Sequence, residues 1–314
     1  MSSLIEQAAA RLEQLRQAGV VLPDDAAGKP RPPESEPVAI DAAEASAVQM
    51  PIGDDEHHPA SKRVELDLTA LAAQGFLTPN APRSHIADQY RVIKRPLIKN
   101  AMGKGVTTLN HANLIMVTSA LAGEGKSFTS LNLALSIAAE LDNTVMLVDA
   151  DVARPSVLRM LGLPPGPGLL DVLEERVDMA SVLLRTNIDK LTLLPSGTPH
   201  PRATELLASD TMTTLLDDMA RRYPDRIIIF DSPPLLLTTE SRVLASHVGQ
   251  IVIVVHAEKT PQSAVQQALA AIESCPLKMM LLNQAGANAS GSYGYGYGYG
   301  YGYGYGYDNE PAKS

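Results

Sequence analysis

The chain has 314 residues, 45% of them hydrophobic, 19% charged and 4% aromatic, and its 26 basic against 35 acidic side chains give a formal charge of −9. That balance excludes a protein that grips nucleic acid by net charge, and the single cysteine, Cys275, excludes an internal disulfide. No apolar run approaches the roughly 20 residues of a spanning helix, and the N-terminus lacks the basic start and apolar centre of a signal peptide, so a cytoplasmic protein is expected.

In chain order, three regions are predicted. Residues 1–61 hold a helix followed by a linker. Ser3 and Glu6 fit a capping box, Ile5, Ala8, Leu12 and Leu15 form one apolar stripe, and Gly19 is a stop signal. The stretch from Leu22 to Ala60 is rich in Pro and Ala and has nine acids against Lys29 and Arg31, a composition that predicts disorder. Residues 62–289 alternate short apolar runs with helical segments. Strands are predicted at Leu114–Thr118, Thr144–Asp149, Leu191–Pro195, Arg226–Asp231, Gln250–His256 and Lys278–Asn283. Helices are predicted at Ile86–Arg95, Ser127–Leu141, Pro155–Leu161, Ala203–Arg222, Glu240–Ser246 and Pro261–Ser274. Buried Val/Ile/Leu strands separated by helices predict one α/β domain, its mostly parallel sheet covered by helices on both faces. Residues 290–314 are a Tyr/Gly tail, which holds eight of the ten tyrosines.

The strongest local signal is the run from Leu114 to Ser127, in which an apolar strand enters a loop of small residues and ends in Gly125-Lys126-Ser127 at the start of a helix. Gly123 and Gly125 let backbone N–H groups curl around phosphate oxygens, and the helix N-terminus adds its partial positive charge. Lys126 is suited to the β and γ phosphates and the Ser127 hydroxyl to Mg²⁺. Ala120 stands where the GxxxxGK[ST] pattern has its first glycine, but strand, loop and helix all sit where a P-loop needs them. Two more apolar strands end in acids: one carries Asp149 and, just beyond it, Asp151; the other carries Asp231. In a parallel sheet the strands' carboxyl ends line the binding crevice, so all three acids are expected to face the P-loop, where a carboxylate can hold Mg²⁺ or take a proton.

Together these segments resemble the bacterial tyrosine kinases of the P-loop type, relatives of the MinD/ParA-like ATPases, and in particular the autokinases of exopolysaccharide gene clusters of the PEP-CTERM/exosortase kind. The resemblance covers residues 62–307. It rests on a GEGKS Walker A at Gly123 to Ser127, an Asp-x-Asp Walker A′ at Asp149 and Asp151, a Walker B at Ile229 to Pro234, and a terminal tyrosine cluster, in that order. It implies a P-loop NTPase fold that binds ATP through Gly123, Glu124, Gly125, Lys126, Ser127, Phe128 and Asn283, with Mg²⁺ held by Ser127, Asp151 and Asp231. It implies phosphotransfer to Tyr293, Tyr295, Tyr297, Tyr299, Tyr301, Tyr303, Tyr305 and Tyr307, with Lys126, Asp149 and Asp151 catalytic; Asp149 is preferred as the base, while spacing leaves an exchange of roles with Asp151 open.

The family's Glu-x-x-Arg-x-x-Arg helix, which packs subunits into a ring, is matched by Asp88, Arg91 and Lys94, and Pro96 is expected to end or kink that helix. Where many relatives have Arg-Arg-Pro after the Walker A′ box, this chain has Ala153-Arg154-Pro155. The implied partners are ATP, further copies of the chain, tyrosine-bearing proteins and a separate membrane chain-length regulator that recruits the enzyme to the membrane. Two rivals remain: a MinD/ParA-like ATPase switch, and an interaction scaffold. The first usually carries a second lysine early in the P-loop, where this chain has Ala120-Leu121-Ala122. The second would not need complete P-loop and acidic boxes.

Overall fold

Among the described residues eight short strands form one sheet, in the spatial order Lys62–Val64, Leu184–Thr186, Leu191–Leu194, Thr144–Asp149, Arg226–Asp231, Leu114–Ser119, Gln250–His256 and Lys278–Asn283. The computed structural model describes residues 61–79, 83–105, 109–222 and 225–286. The predicted N-terminal helix, the acidic linker before residue 61 and the tyrosine tail lie outside them. The described elements are β1 (Lys62–Val64), α1 (Leu68–Ala73), α2 (His85–Ala101), β2 (Leu114–Ser119), α3 (Lys126–Ala138), β3 (Thr144–Asp149), α4 (Val157–Met160), α5 (Leu169–Leu173) and α6 (Met179–Val182). They continue with β4 (Leu184–Thr186), β5 (Leu191–Leu194), α7 (Ala203–Leu207), α8 (Asp210–Arg222), β6 (Arg226–Asp231), α9 (Glu240–His247), β7 (Gln250–His256), α10 (Gln262–Ala270) and β8 (Lys278–Asn283).

Every described strand pair is parallel except β4–β5. The central strands are buried on both faces, and the two-residue period divides their side chains between two cores. Ile115, Val117, Val145, Leu147, Ile227 and Ile229 pack with α1 to α4. Leu114, Met116, Met146, Val148, Ile228 and Phe230 pack with α5 to α10. This is the mostly parallel P-loop NTPase architecture read from the sequence. Among the described residues no helix is long and apolar enough to cross a membrane.

Two helix expectations are corrected. The single helix predicted from Ala203 to Arg222 is two, because Ser209 caps a new one: its hydroxyl accepts the Met212 N–H at 3.2 Å and donates to the Leu206 carbonyl at 2.7 Å. Pro96 does not end α2, which runs on to Ala101. The hydrogen bond that proline forgoes belongs to the carbonyl of Val92, an exposed residue, while buried Leu97 anchors the next turn. Tyr90, two turns before Leu97, is buried, and burial pushes its phenol up to about 12 against the opposing pull of the Thr129 hydroxyl.

Gln250 ties α2 to the sheet. Fully buried at the start of β7, its amide donates to the carbonyls of Leu97 at 3.1 Å and Ala112 at 2.6 Å and accepts from Asn100 at 3.0 Å. Gln250→Leu leaves these groups unpaired in an apolar setting and is expected to cost at least ~2 kcal/mol of unfolding free energy. Urea titration checks it; an unchanged midpoint contradicts the role of Gln250 in seating α2.

Candidate active site

The loop between β2 and α3 has the geometry of a phosphate cradle. Gly123 and Gly125 adopt φ of +82° and +93°, a left-handed backbone that L side chains rarely take. Gly125 is the N-cap of α3 and supplies no side-chain cap, and the first intrahelical bond runs from the Thr129 N–H to the Gly125 carbonyl at 2.9 Å. The N–H groups of Lys126, Ser127 and Phe128 therefore have no intrahelical partner and are available to an anion. Glycine at 125 is required twice over, since a Cβ there would stand 2.1 Å from the Asn283 amide nitrogen.

The three acids converge as expected. Asp149 and Asp231 are register partners at the ends of β3 and β6, and Val117 of β2 pairs with Asp231 on its other side. Asp151, two residues past β3, forms an ion pair with Lys126 at 2.7 Å, and both are nearly buried. Asp149 accepts the N–H groups of Ser156 and Val157 through one oxygen, at 2.9 Å each. Burial, and then the charge of Asp231, push the Asp149 carboxyl up to about 7, against the pull of those two N–H groups. Burial also raises Asp231, opposed by the Lys126 charge and the hydroxyls of Ser127 and Ser130. The Ser130 hydroxyl donates to Asp231 at 3.0 Å.

Other predicted residues take different places. The Glu124 side chain turns into the fold: one carboxylate oxygen accepts the Leu121 N–H at 2.7 Å and the other bonds the Thr260 hydroxyl. Asn283, at the end of β8, donates its amide to the Glu124 carbonyl at 2.9 Å. It thus touches the phosphate loop from the side opposite the acids. The Phe128 ring packs on Phe76 with centroids 5.1 Å apart, and its backbone N–H, in the first turn of α3, has no intrahelical partner.

The expectation for Lys94 is corrected. It is buried, bonding the Ser136 carbonyl at 2.5 Å and Glu140 at 2.6 Å, so it fastens α2 to the end of α3 instead of facing a neighbouring subunit. Asp88 and Arg91 pair at 2.7 Å on the exposed face of α2. Thr260 and Ser130 were not foreseen. Thr260 lies 136 residues from the glutamate it holds, and no local pattern marks it.

The family described as ParA, NUBPL iron-transfer P-loop NTPase, matches residues 110–282. The tyrosine-protein kinase YwqD of Bacillus subtilis (strain 168) is 31% identical over 199 residues, which are 63% of this chain and 80% of that protein. The chain belongs to the bacterial P-loop tyrosine-protein kinases. Among solved structures, the VpsO kinase domain superposes with a TM-score of 0.52 at 26% identity, covering 65% of this chain and 100% of that one. The kinase domain of Escherichia coli tyrosine kinase ETK gives 0.55 at 23% identity, covering 74% and 98%, and shares the fold.

The donor set of this crevice fits a hard divalent cation such as Mg²⁺. Among the described residues, Asp149 Oδ1 and Asp231 Oδ2 are buried without a hydrogen-bond partner. Orphaned carboxylate oxygens at this depth are costly unless a proton or cation reaches them. No group of three or more His, Cys, Asp or Glu among the described residues forms a cage of its own. A cation here would share its shell with phosphates and water, the habit of Mg²⁺.

The raised carboxyl has a measurable sign. Folded Asp149 holds its proton up to about pH 7, whereas the unfolded chain releases it near 3.8. Its stabilising contribution is complete below the lower value and is lost as pH rises through the upper one. With metal and nucleotide removed, Asp149→Asn is therefore expected to gain stability relative to wild type between pH 5 and pH 8. Urea midpoints across that range check this, and parallel profiles contradict it.

Proposed function

We propose that this kinase transfers the γ-phosphoryl group of ATP to tyrosines of its own C-terminal cluster, Tyr293 to Tyr307, between copies in an oligomer, and that the modification regulates exopolysaccharide synthesis or export. The observation that carries the reading is Lys126 among three buried carboxylates at the mouth of an uncapped helix. Phosphoryl transfer asks for positioning and charge stabilisation, which such a cradle supplies.

In the proposed reaction the triphosphate lies along the N–H groups of 123–128. Lys126 leaves Asp151 for the β and γ phosphates. Ser127, Asp231 and the released Asp151 would hold Mg²⁺, which when bound would supply charge neutralisation at the phosphates. The phenol O–H gives its proton to Asp149 Oδ1, and the phenolic oxygen bonds to the γ-phosphorus as the bond to the bridging oxygen breaks and ADP leaves. A phenol ionises near pH 10, so at neutral pH it needs an ionised carboxylate beside it to take the proton.

The exit of the chain supports the choice of acceptor. β8 runs parallel with β7, and β7 with β2, so Asn283 lies at the same sheet edge as the phosphate loop. Tyr293 follows ten residues later. Each phosphate adds about −1.5 to −2 charges, so multiply modified tails repel one another and favour separation of the copies. A separate membrane chain-length regulator would recruit and activate the enzyme, as the resemblance implies.

Two measurements test this. Lys126→Met is expected to lower Mg²⁺-ATP-dependent phosphotyrosine by about 10²-fold or more, read by mass spectrometry of the whole chain. Replacing all eight tail tyrosines with Phe is expected to abolish the signal while ATP turnover persists. A signal that survives the replacement overturns the tail as main acceptor. ATP turnover by wild type with no phosphotyrosine anywhere favours the MinD/ParA-like switch.

A further inference from the structure

The far edge of the sheet carries a surface that the chemistry above does not use. β8 is the terminal strand, and among the described residues no strand pairs with its outer side. Such an edge is a template for another strand. Its side chains alternate: Met279 and Leu281 pack on the α2 side, whereas Met280 and Leu282 are 65% and 64% exposed. With Val255, Val265 and Leu269 these two line an open groove of about 490 Å³. A long apolar edge of this kind is an aggregation hazard unless something covers it.

The sequence contains a segment made for such an edge. Tyr293 to Tyr307 alternates Tyr and Gly without exception. In a strand that period puts every ring on one face and bare backbone on the other. Rings would cover Met280 and Leu282, and glycines would leave the α2 side uncrowded.

We propose that the outer edge of β8 is the docking surface for the Tyr/Gly tail of a second copy, which joins the eight-stranded sheet as a further strand parallel with β8. Its purpose rests on the autokinase reading, though its occupancy does not. The direction of the chain selects a second copy. A chain's own tail begins at the C-terminal end of β8 and would have to run back along it, away from the phosphate loop. A tail arriving from elsewhere can run with β8 and finish beside Asn283.

The reach suffices. In the sheet order β3-β6-β2-β7-β8, a tail docked outside β8 lies five strand spacings from the acids of β3, about 24 Å at a spacing of about 4.8 Å. Of the fifteen tail residues, six paired with the six of β8 leave nine, which span up to about 30 Å. The repeat also leaves the register degenerate. Slipping by two residues restores every contact and advances the next tyrosine by about 7 Å, so one dock presents the C-terminal tyrosines of the run in turn.

The test mixes two full-length proteins with Mg²⁺-ATP. The donor has its tail tyrosines changed to Ser; the acceptor carries Lys126→Met with an intact tail. Met280→Lys plus Leu282→Lys on the donor is expected to lower transfer tenfold or more, because two charged side chains replace the apolar surface that the rings would cover. The same pair on the acceptor is expected to change nothing, and the donor's KM for ATP is expected to hold. Equal losses from either side, or none from the donor side, overturn the dock. An acceptor whose tail is regrouped as Tyr-Tyr-Gly-Gly is expected to transfer poorly; transfer equal to the native order overturns strand docking.

Anisotropy of a labelled 293–307 peptide decides occupancy apart from chemistry. Binding to wild type but not to the donor-side variant supports the dock even where no phosphate moves, an outcome that sinks the autokinase reading alone. Displacement of that peptide by one spanning residues 2–20 assigns the edge to the N-terminal segment and overturns the proposal.

Discussion

One ammonium among three carboxylates is the constraint from which the rest of the site follows. Asp149 and Asp231 end two central strands in matching register, so the sheet's hydrogen bonds hold the two acids side by side. Asp151 joins them two residues past β3, and the Lys126 ammonium meets this group in an ion pair with Asp151 at 2.7 Å. Charges so deeply buried cannot relax into water, and one cation does not balance three anions. The deficit appears as a proton held by Asp149 and as two oxygens without partners. A site in this condition is poised for positive charge to arrive from outside, which is how a metal–nucleotide complex is received.

The phosphate side and the far edge of the crevice are joined through Glu124. Its carboxylate closes the loop on itself and reaches Thr260 beyond β7, and its carbonyl takes the amide of Asn283. The acidic side chain in the GEGKS sequence thus works as a brace, and the loop's outward surface is left to backbone N–H groups. Gly125 fits beneath Asn283 for the same reason, since no larger residue leaves room for that amide.

Much of this was legible in the residues. Four of the six predicted strands have the predicted limits, because fully apolar runs bounded by polar residues define buried parallel strands without ambiguity. The P-loop and the strand-end acids were readable because their positions relative to strands carry the chemistry. β1 and β4 were missed: each has only three residues, too few to show a period. The break between α7 and α8 depended on one serine hydroxyl choosing a cap. The inward turn of Lys94 was hidden as well, since a lysine at helical spacing reads as surface until a carbonyl and a glutamate from α3 are brought against it. Side-chain direction is set by tertiary neighbours, and those lie dozens of residues away.

The burial of Tyr90 sets a boundary on what the enzyme can modify. It is the one tyrosine among the described residues, wedged between α2 and α3 with a phenol far too weakly acidic to ionise at neutral pH. Burial thereby shelters this tyrosine from a tyrosine kinase's own chemistry. Any label found on that ring, whether nitro, iodo or phosphoryl, would record a moment when α2 had swung clear of the body of the domain.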